Sequence, residues 1–233
     1  MRKRLHRFYV GEALQLKHDF WLHDDRFLWQ WRKVLRMQAG QEVVLFDGQC
    51  EDRLYRILEL KDNEAHLQLV TEMHRQVPAR DVYLLWSLLK KDKNDWVLQK
   101  ATELGAGHLI PLVAERSEKL GFDADRARRI VVEAAEQCGR SDIPSIREPI
   151  TPEAALRELS SVAQIYVCEQ GSEPVPNAAP DAAVALLVGP EGGWSDAERQ
   201  LFVDAGLPHV DLGQFTLRGE TAAVVATALA ATL

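Results

Sequence analysis

Short apolar-rich runs in the first third of the chain predict strands over residues 7–10, 42–46, 53–60 and 65–70, the later ones alternating apolar with polar positions at a period of two. Asp47-Gly48 and Asp62-Asn63 fall between the later runs, where hairpins need residues that tolerate positive φ or bond their own backbone. One stretch, about 24–37, has helical spacing instead. The pattern predicts a small β-barrel of hairpins interrupted by a single helix.

Val77-Pro78-Ala79-Arg80 has the composition of a linker, and beyond it the rhythm changes. Short apolar runs at 82–89, 108–113, 164–167, 183–188 and 210–212 alternate with helical patterns at 92–104, 123–138, 152–159, 195–205 and 221–233. Such alternation marks an α/β domain whose mostly parallel sheet is covered on both faces. The predicted domains are residues 1–75 and 76–233. From Thr221 onward the last helix carries no charge on any face. It is expected to be buried all round, in a tightly threaded core or a subunit interface.

The 233 residues are 46% hydrophobic and 27% charged, enough apolar mass for two cores. No stretch approaches the roughly 20 apolar residues of a membrane span. The basic start, Met1 to Arg7, runs into Phe8-Tyr9-Val10 without the apolar core of a secretion signal, so a soluble, cytoplasmic protein is expected. Cys50, Cys138 and Cys168 are too scattered for a disulfide framework, and the histidines lack cysteine or helix-spaced carboxylate partners. No metal site is expected. The net charge of -7 argues against indiscriminate nucleic-acid binding, but it is uneven: 14 Lys+Arg against 12 Asp+Glu up to residue 80, and 14 against 23 after it. Phosphate contacts are therefore expected to begin in the first domain.

Two segments carry candidate chemistry. In Leu187-Val188-Gly189-Pro190-Glu191-Gly192-Gly193-Trp194-Ser195 an apolar strand runs into a glycine-rich turn and then a helix, whose start Ser195 and Glu198 fix as a capping box. Glycines there let the backbone approach a ligand and free helix N–H groups donate to its acidic or polar parts, although a plain strand-turn-helix connection has the same pattern. The loop after the first α/β strand, Leu88-Leu89-Lys90-Lys91-Asp92-Lys93, has no glycine, and neither G-x-G-x-x-G nor a P-loop occurs. The second segment, Asp211 to Thr221, holds Arg218, the only Lys or Arg after Arg199. A guanidinium between an apolar strand and an apolar helix needs a specific partner: either a salt bridge with Glu220 or Glu191, or a substrate.

Gly189-Pro190-Glu191-Gly192-Gly193, followed by Leu212-Gly213 and Leu217-Arg218-Gly219-Glu220-Thr221-Ala222, resembles the RsmE family of 16S ribosomal RNA uracil-N3 methyltransferases, within the SPOUT superfamily. The resemblance extends through Lys90-Lys91-Asp92-Lys93, the segment from Gln99 to Gly105, Glu115-Arg116-Ser117 and the segment from Glu133 to Arg140, and so covers nearly the whole chain. It implies a PUA-like N-terminal barrel and a C-terminal SPOUT-type trefoil-knotted α/β domain. It implies S-adenosylmethionine held by loops at Cys168-Glu169, at Val188 to Gly193, and at Leu212, Gly213 and Leu217, with dimerisation completing the site. Three positions depart from the family pattern: Phe215 stands where arginine is common, Gly219 where threonine is usual, and Cys138 where serine is usual.

Uracil N3 attacks a methyl group only once its proton leaves and charge on the ring oxygens is stabilised. The resemblance therefore makes Arg218 the expected cation, and Glu220 or a water the proton acceptor. Candidate RNA contacts are Arg2, Lys3, Arg4, Arg7, Lys90, Lys91, Lys93 and Arg140, and the expected target is 16S rRNA within the small ribosomal subunit. Alternatives are a SPOUT methyltransferase with another RNA target and a non-catalytic RNA-binding assembly factor.

Overall fold

The four predicted strand segments of the first third, joined by a fifth strand at Asp19–Leu22, form one sheet from β1 (His6–Tyr9), β2 (Asp19–Leu22), β3 (Glu42–Phe46), β4 (Asp52–Leu60) and β5 (Ala65–Met73). The computed structural model describes residues 5–11, 17–118, 121–174 and 182–232. The chain divides into one unit of Met1–Val77 with Ala135–Asp142 and another of Pro78–Ala134 with Ile143–Leu233.

In the first unit the strand order is β1-β3-β4-β5-β2, antiparallel except for the parallel pair β1 and β3. Trp31, Phe46, Tyr55 and Ile57 are completely buried in it. The single helix expected over 24–37 is a five-residue helix α1 (Asp25–Trp29), capped by the Asp24 side chain, that widens into a π-helical turn over Gln30–Val34.

The second unit contains β6 (Val82–Ser87), α2 (Lys91–Glu103), β7 (His108–Leu112), α3 (Ala124–Cys138), β8 (Ser145–Ile146), α4 (Pro152–Leu159), β9 (Gln164–Pro174), β10 (Val184–Val188), α5 (Asp196–Asp204), β11 (His209–Asp211) and α6 (Gly219–Thr232). Its sheet runs β11-β9-β10-β6-β7-β8, and every pairing is parallel. Both faces are covered, which is why β6 and β10 read as continuous apolar runs. Leu84, Trp86 and Leu186 point into one core layer with Leu98 and Ala223, while Leu85, Ala185 and Leu187 point into the other with Leu156 and Phe202. β9, β10 and β11 all end on the same edge of the sheet, the edge where open α/β sheets hold ligands.

Helix α6 is covered on one side within a single chain. Gly219, Ala223, Ala226, Thr227 and Ala230 are buried, but Val224, Val225, Ala228 and Leu229 are only half-buried. Within one chain α6 packs on α2, β6 and β10, so one side is covered and an uncharged second side is left partly open.

Candidate active site

Strand β10 delivers the chain into the glycine-rich turn. Gly193, at φ 68, closes it by donating to the Pro190 carbonyl at 2.8 Å. At Gly189 a Cβ would lie 3.0 Å from the Trp194 indole, so glycine lets backbone and ring pack closely without displacing either. The expected capping box is present: the Ser195 hydroxyl accepts from the Glu198 N–H at 3.2 Å, and Glu198 accepts from the Ser195 N–H at 2.8 Å. Glu198 also accepts from the Glu115 N–H at 2.9 Å, and Arg116 donates to the carbonyls of Gly192 and Trp194 at 3.2 Å each. The Glu115-Arg116 turn after β7 thus clamps the glycine turn from outside.

Two further segments close the site. The Asp211 carboxylate accepts N–H bonds from Gly213 at 3.0 Å and Gly171 at 2.7 Å, which hold it below the usual carboxylate range and tie the turn after β11 to β9. On β9, Glu169 accepts from Arg199 Nε at 2.8 Å and pairs with His209 Nδ1 at 2.7 Å. Together these segments enclose a cleft of about 540 Å³, within the size range of small-molecule sites.

Of the cofactor residues expected from sequence, Cys168, Glu169, Val188, Gly189, Pro190, Glu191, Gly193, Leu212 and Leu217 line this cleft, and so does Arg218. Gly192 and Gly213 shape the adjoining turns without lining it. Sequence reasoning missed Gln170, Trp194, Arg199, Asp211, Phe215 and Thr216 on its walls. Arg199 is an exposed helix residue by pattern; only its pairing with Glu169, thirty positions earlier, brings it there. Burial pushes the Cys168 thiol up to about 12, so it is neutral and contributes apolar wall rather than charge.

Glu220 does not line the cleft. Its Oε2 lies 3.1 Å from Lys93 Nζ, which also reaches Glu191 Oε1 at 3.3 Å. Burial pushes the Glu220 carboxyl up, but a backbone N–H, the Lys93 ammonium and the Arg218 charge outweigh it and hold the group below its ordinary value. Arg218 itself is exposed at the mouth, and Phe215 is 73% exposed.

The RNA candidates separate. Lys90 is exposed, whereas Lys93 is held by two carboxylates. Arg7 and Arg140 are engaged inside the first unit: Arg7 pairs with buried Asp52 at 2.6 Å, and Arg140, 7% exposed, pairs with Asp142 at 2.6 Å. Arg2, Lys3, Arg4 and the Lys91 side chain lie outside the described residues. Among the described residues no group of three or more His, Cys, Asp and Glu is arranged to hold a metal, and no helix is long and apolar enough to cross a membrane.

Residues 75–231 match the model of the RNA methyltransferase domain, and residues 32–70 match that of the RNA methyltransferase PUA domain. The chain belongs to the RsmE family of RNA methyltransferases. The ribosomal RNA small subunit methyltransferase E of Aquifex aeolicus is 30% identical, over 82% of this chain and 86% of its own. That of Rickettsia conorii is 26% identical over 97% and 94%. Among solved structures, the ribosomal RNA small subunit methyltransferase E of Neisseria gonorrhoeae bound to S-adenosyl methionine superposes with a TM-score of 0.88, at 29% identity and 98% coverage of both chains.

Proposed function

We propose that this chain methylates N3 of a specific uridine in 16S ribosomal RNA of the small subunit, with S-adenosylmethionine as donor. The observation that carries the reading is the cleft itself: the turns after β10 and β11, with Cys168 to Gln170 of β9, enclose a small-molecule volume with Arg218 at its rim. The residues fit the donor. Val188, Leu212, Leu217 and Ala222 offer apolar walls, the glycine turn offers close backbone, and Glu169, Asp211 and Glu191 offer carboxylates to a cationic ligand. When bound, the donor supplies a methyl group activated by its sulfonium.

The chain's own residues do the rest. The walls fix the reactants in line, and the Arg218 guanidinium neutralises charge developing on the uracil oxygens. Because Glu220 is bound to Lys93 and held ionised and weakly basic, we assign the N3 proton to water and give Glu220 a holding role. The N-terminal unit (residues 1–75 in the sequence division) serves RNA binding and residues 76–233 serve transfer, in a trefoil-knotted arrangement. The half-open apolar side of α6 is where a second copy sits, making a homodimer, and the setting is the cytoplasm. Of the RNA contacts expected from the sequence, Lys90 is the one whose described side chain is exposed and therefore open to phosphate.

The test is transfer of labelled methyl groups from S-adenosylmethionine to unmethylated small ribosomal subunits. Label in the 16S rRNA supports the reading. Donor binding without any transfer refutes it and leaves the non-catalytic assembly factor; label confined to transfer RNA in a parallel reaction refutes the target.

A further inference from the structure

The first unit carries a surface that neither the sequence motifs nor the methyl-transfer site uses. Leu35 N–H bonds the Gln30 carbonyl at 2.9 Å, the i to i−5 spacing of a π-helical turn, a rare geometry that gathers at functional sites. The turn is ended by Arg36, at φ 51 the only described residue other than glycine in the left-handed region. Met37 N–H then caps the Trp31 carbonyl at 2.7 Å. Glycine is the usual occupant of such a helix end. An arginine there accepts backbone strain, and among the described residues its exposed side chain makes no ion pair in return.

Its neighbours are of one kind. Arg32 is fixed by Asp62, and Lys33 is exposed, also without an ion pair among the described residues. Arg32, Lys33, Arg36 and Gln38 border a shallow cleft of about 440 Å³ floored by Met37 and Leu60. One turn before Lys33, Trp29 is 63% exposed, on the side that residues three and four apart share. An indole left in water one turn from Lys33, on an element that also carries Arg36, neither cation in an ion pair among the described residues, matches a partner that is anionic and flat-faced at once. Strain held at an exposed arginine points the same way.

We propose that this turn is a second RNA contact, in which Lys33 and Arg36 take phosphates of an unpaired segment and Trp29 stacks on one of its bases. The proposal rests on the chain acting on ribosomal RNA and names where its N-terminal unit grips it.

The test uses the full chain and unmethylated small ribosomal subunits. Lys33→Glu with Arg36→Glu raises the Kd at least 10-fold and lowers the slope of log K against log salt by about 2, one for each phosphate. Trp29→Ala raises Kd by about 10-fold. Arg36→Gly, which relieves the backbone, leaves the thermal midpoint unchanged or higher while still weakening binding, so a folding defect is not the cause. Donor affinity stays that of the wild type in all of them. Unchanged Kd and salt slope in the charge-reversed chain, with wild type methylating normally, overturn this contact alone. Failure of the wild type to methylate overturns the functional reading and this proposal with it.

Discussion

Lys93 Nζ lies 3.1 Å from Glu220 Oε2, joining the start of the helix that follows the first α/β strand to the start of the last helix. The same ammonium reaches Glu191 in the glycine turn. A side chain that reads from sequence as an RNA contact is thereby a brace between two segments of the methyl-transfer site. Lys93→Met is expected to weaken S-adenosylmethionine binding by about 10-fold, because Glu191 and the preceding turn lose their anchor. Calorimetric titration reads the affinity. An unaltered affinity removes the bracing role.

Acid should release the same brace. The Glu220 carboxyl is held below its ordinary value of 4.5, so its contribution to stability is complete above that value and is lost as pH falls through the lower folded one. Thermal unfolding followed from about pH 6 down to about pH 3 should show the wild type losing stability faster than Glu220→Gln below the ordinary carboxylate value. Parallel curves contradict the assignment.

Much of this frame is legible in the sequence, and its gaps have physical causes. The continuous apolar runs at β6 and β10 announce strands buried on both faces, and Ser195 with Glu198 places the start of α5 to the residue. β2 escaped notice because Asp19–Leu22 is only four residues long with little alternation, and β8 because it has two. β9 extends to Pro174 through polar residues that pair with β11 at the sheet edge, where no apolar pattern is needed. The cleft was legible where it is built from consecutive turn residues. It was not where Arg199 and Asp211 enter through hydrogen bonds to partners about thirty to forty positions away.

Packing at Gly189 gives a third prediction. A methyl group there meets the Trp194 ring at 3.0 Å, so the ring or the turn must shift to admit it. Gly189→Ala should cost about 1–3 kcal/mol of stability and lower donor affinity with it. Denaturant unfolding and donor titration check both, and a neutral substitution would mean the turn is looser than described.

Cysteine chemistry gives a fourth. With its thiol pushed up to about 12, Cys168 remains protonated at pH 8 and should resist iodoacetamide while exposed Cys50 and Cys138 are modified. Peptide mapping of briefly alkylated protein reads this out. Alkylation of Cys168 ahead of the other two contradicts its neutral, apolar role in the cleft wall.

Arg218 is proposed to face the base that accepts the methyl group. The most direct measurement is single-turnover transfer to unmethylated small subunits at saturating donor, with the product nucleoside identified by mass spectrometry, for the wild type and Arg218→Ala. We expect one 3-methyluridine per subunit from the wild type and a rate lower by about 100-fold or more in the variant, with donor affinity intact. A methyl group on a ribose or another base, or an Arg218→Ala rate equal to that of the wild type, would contradict it.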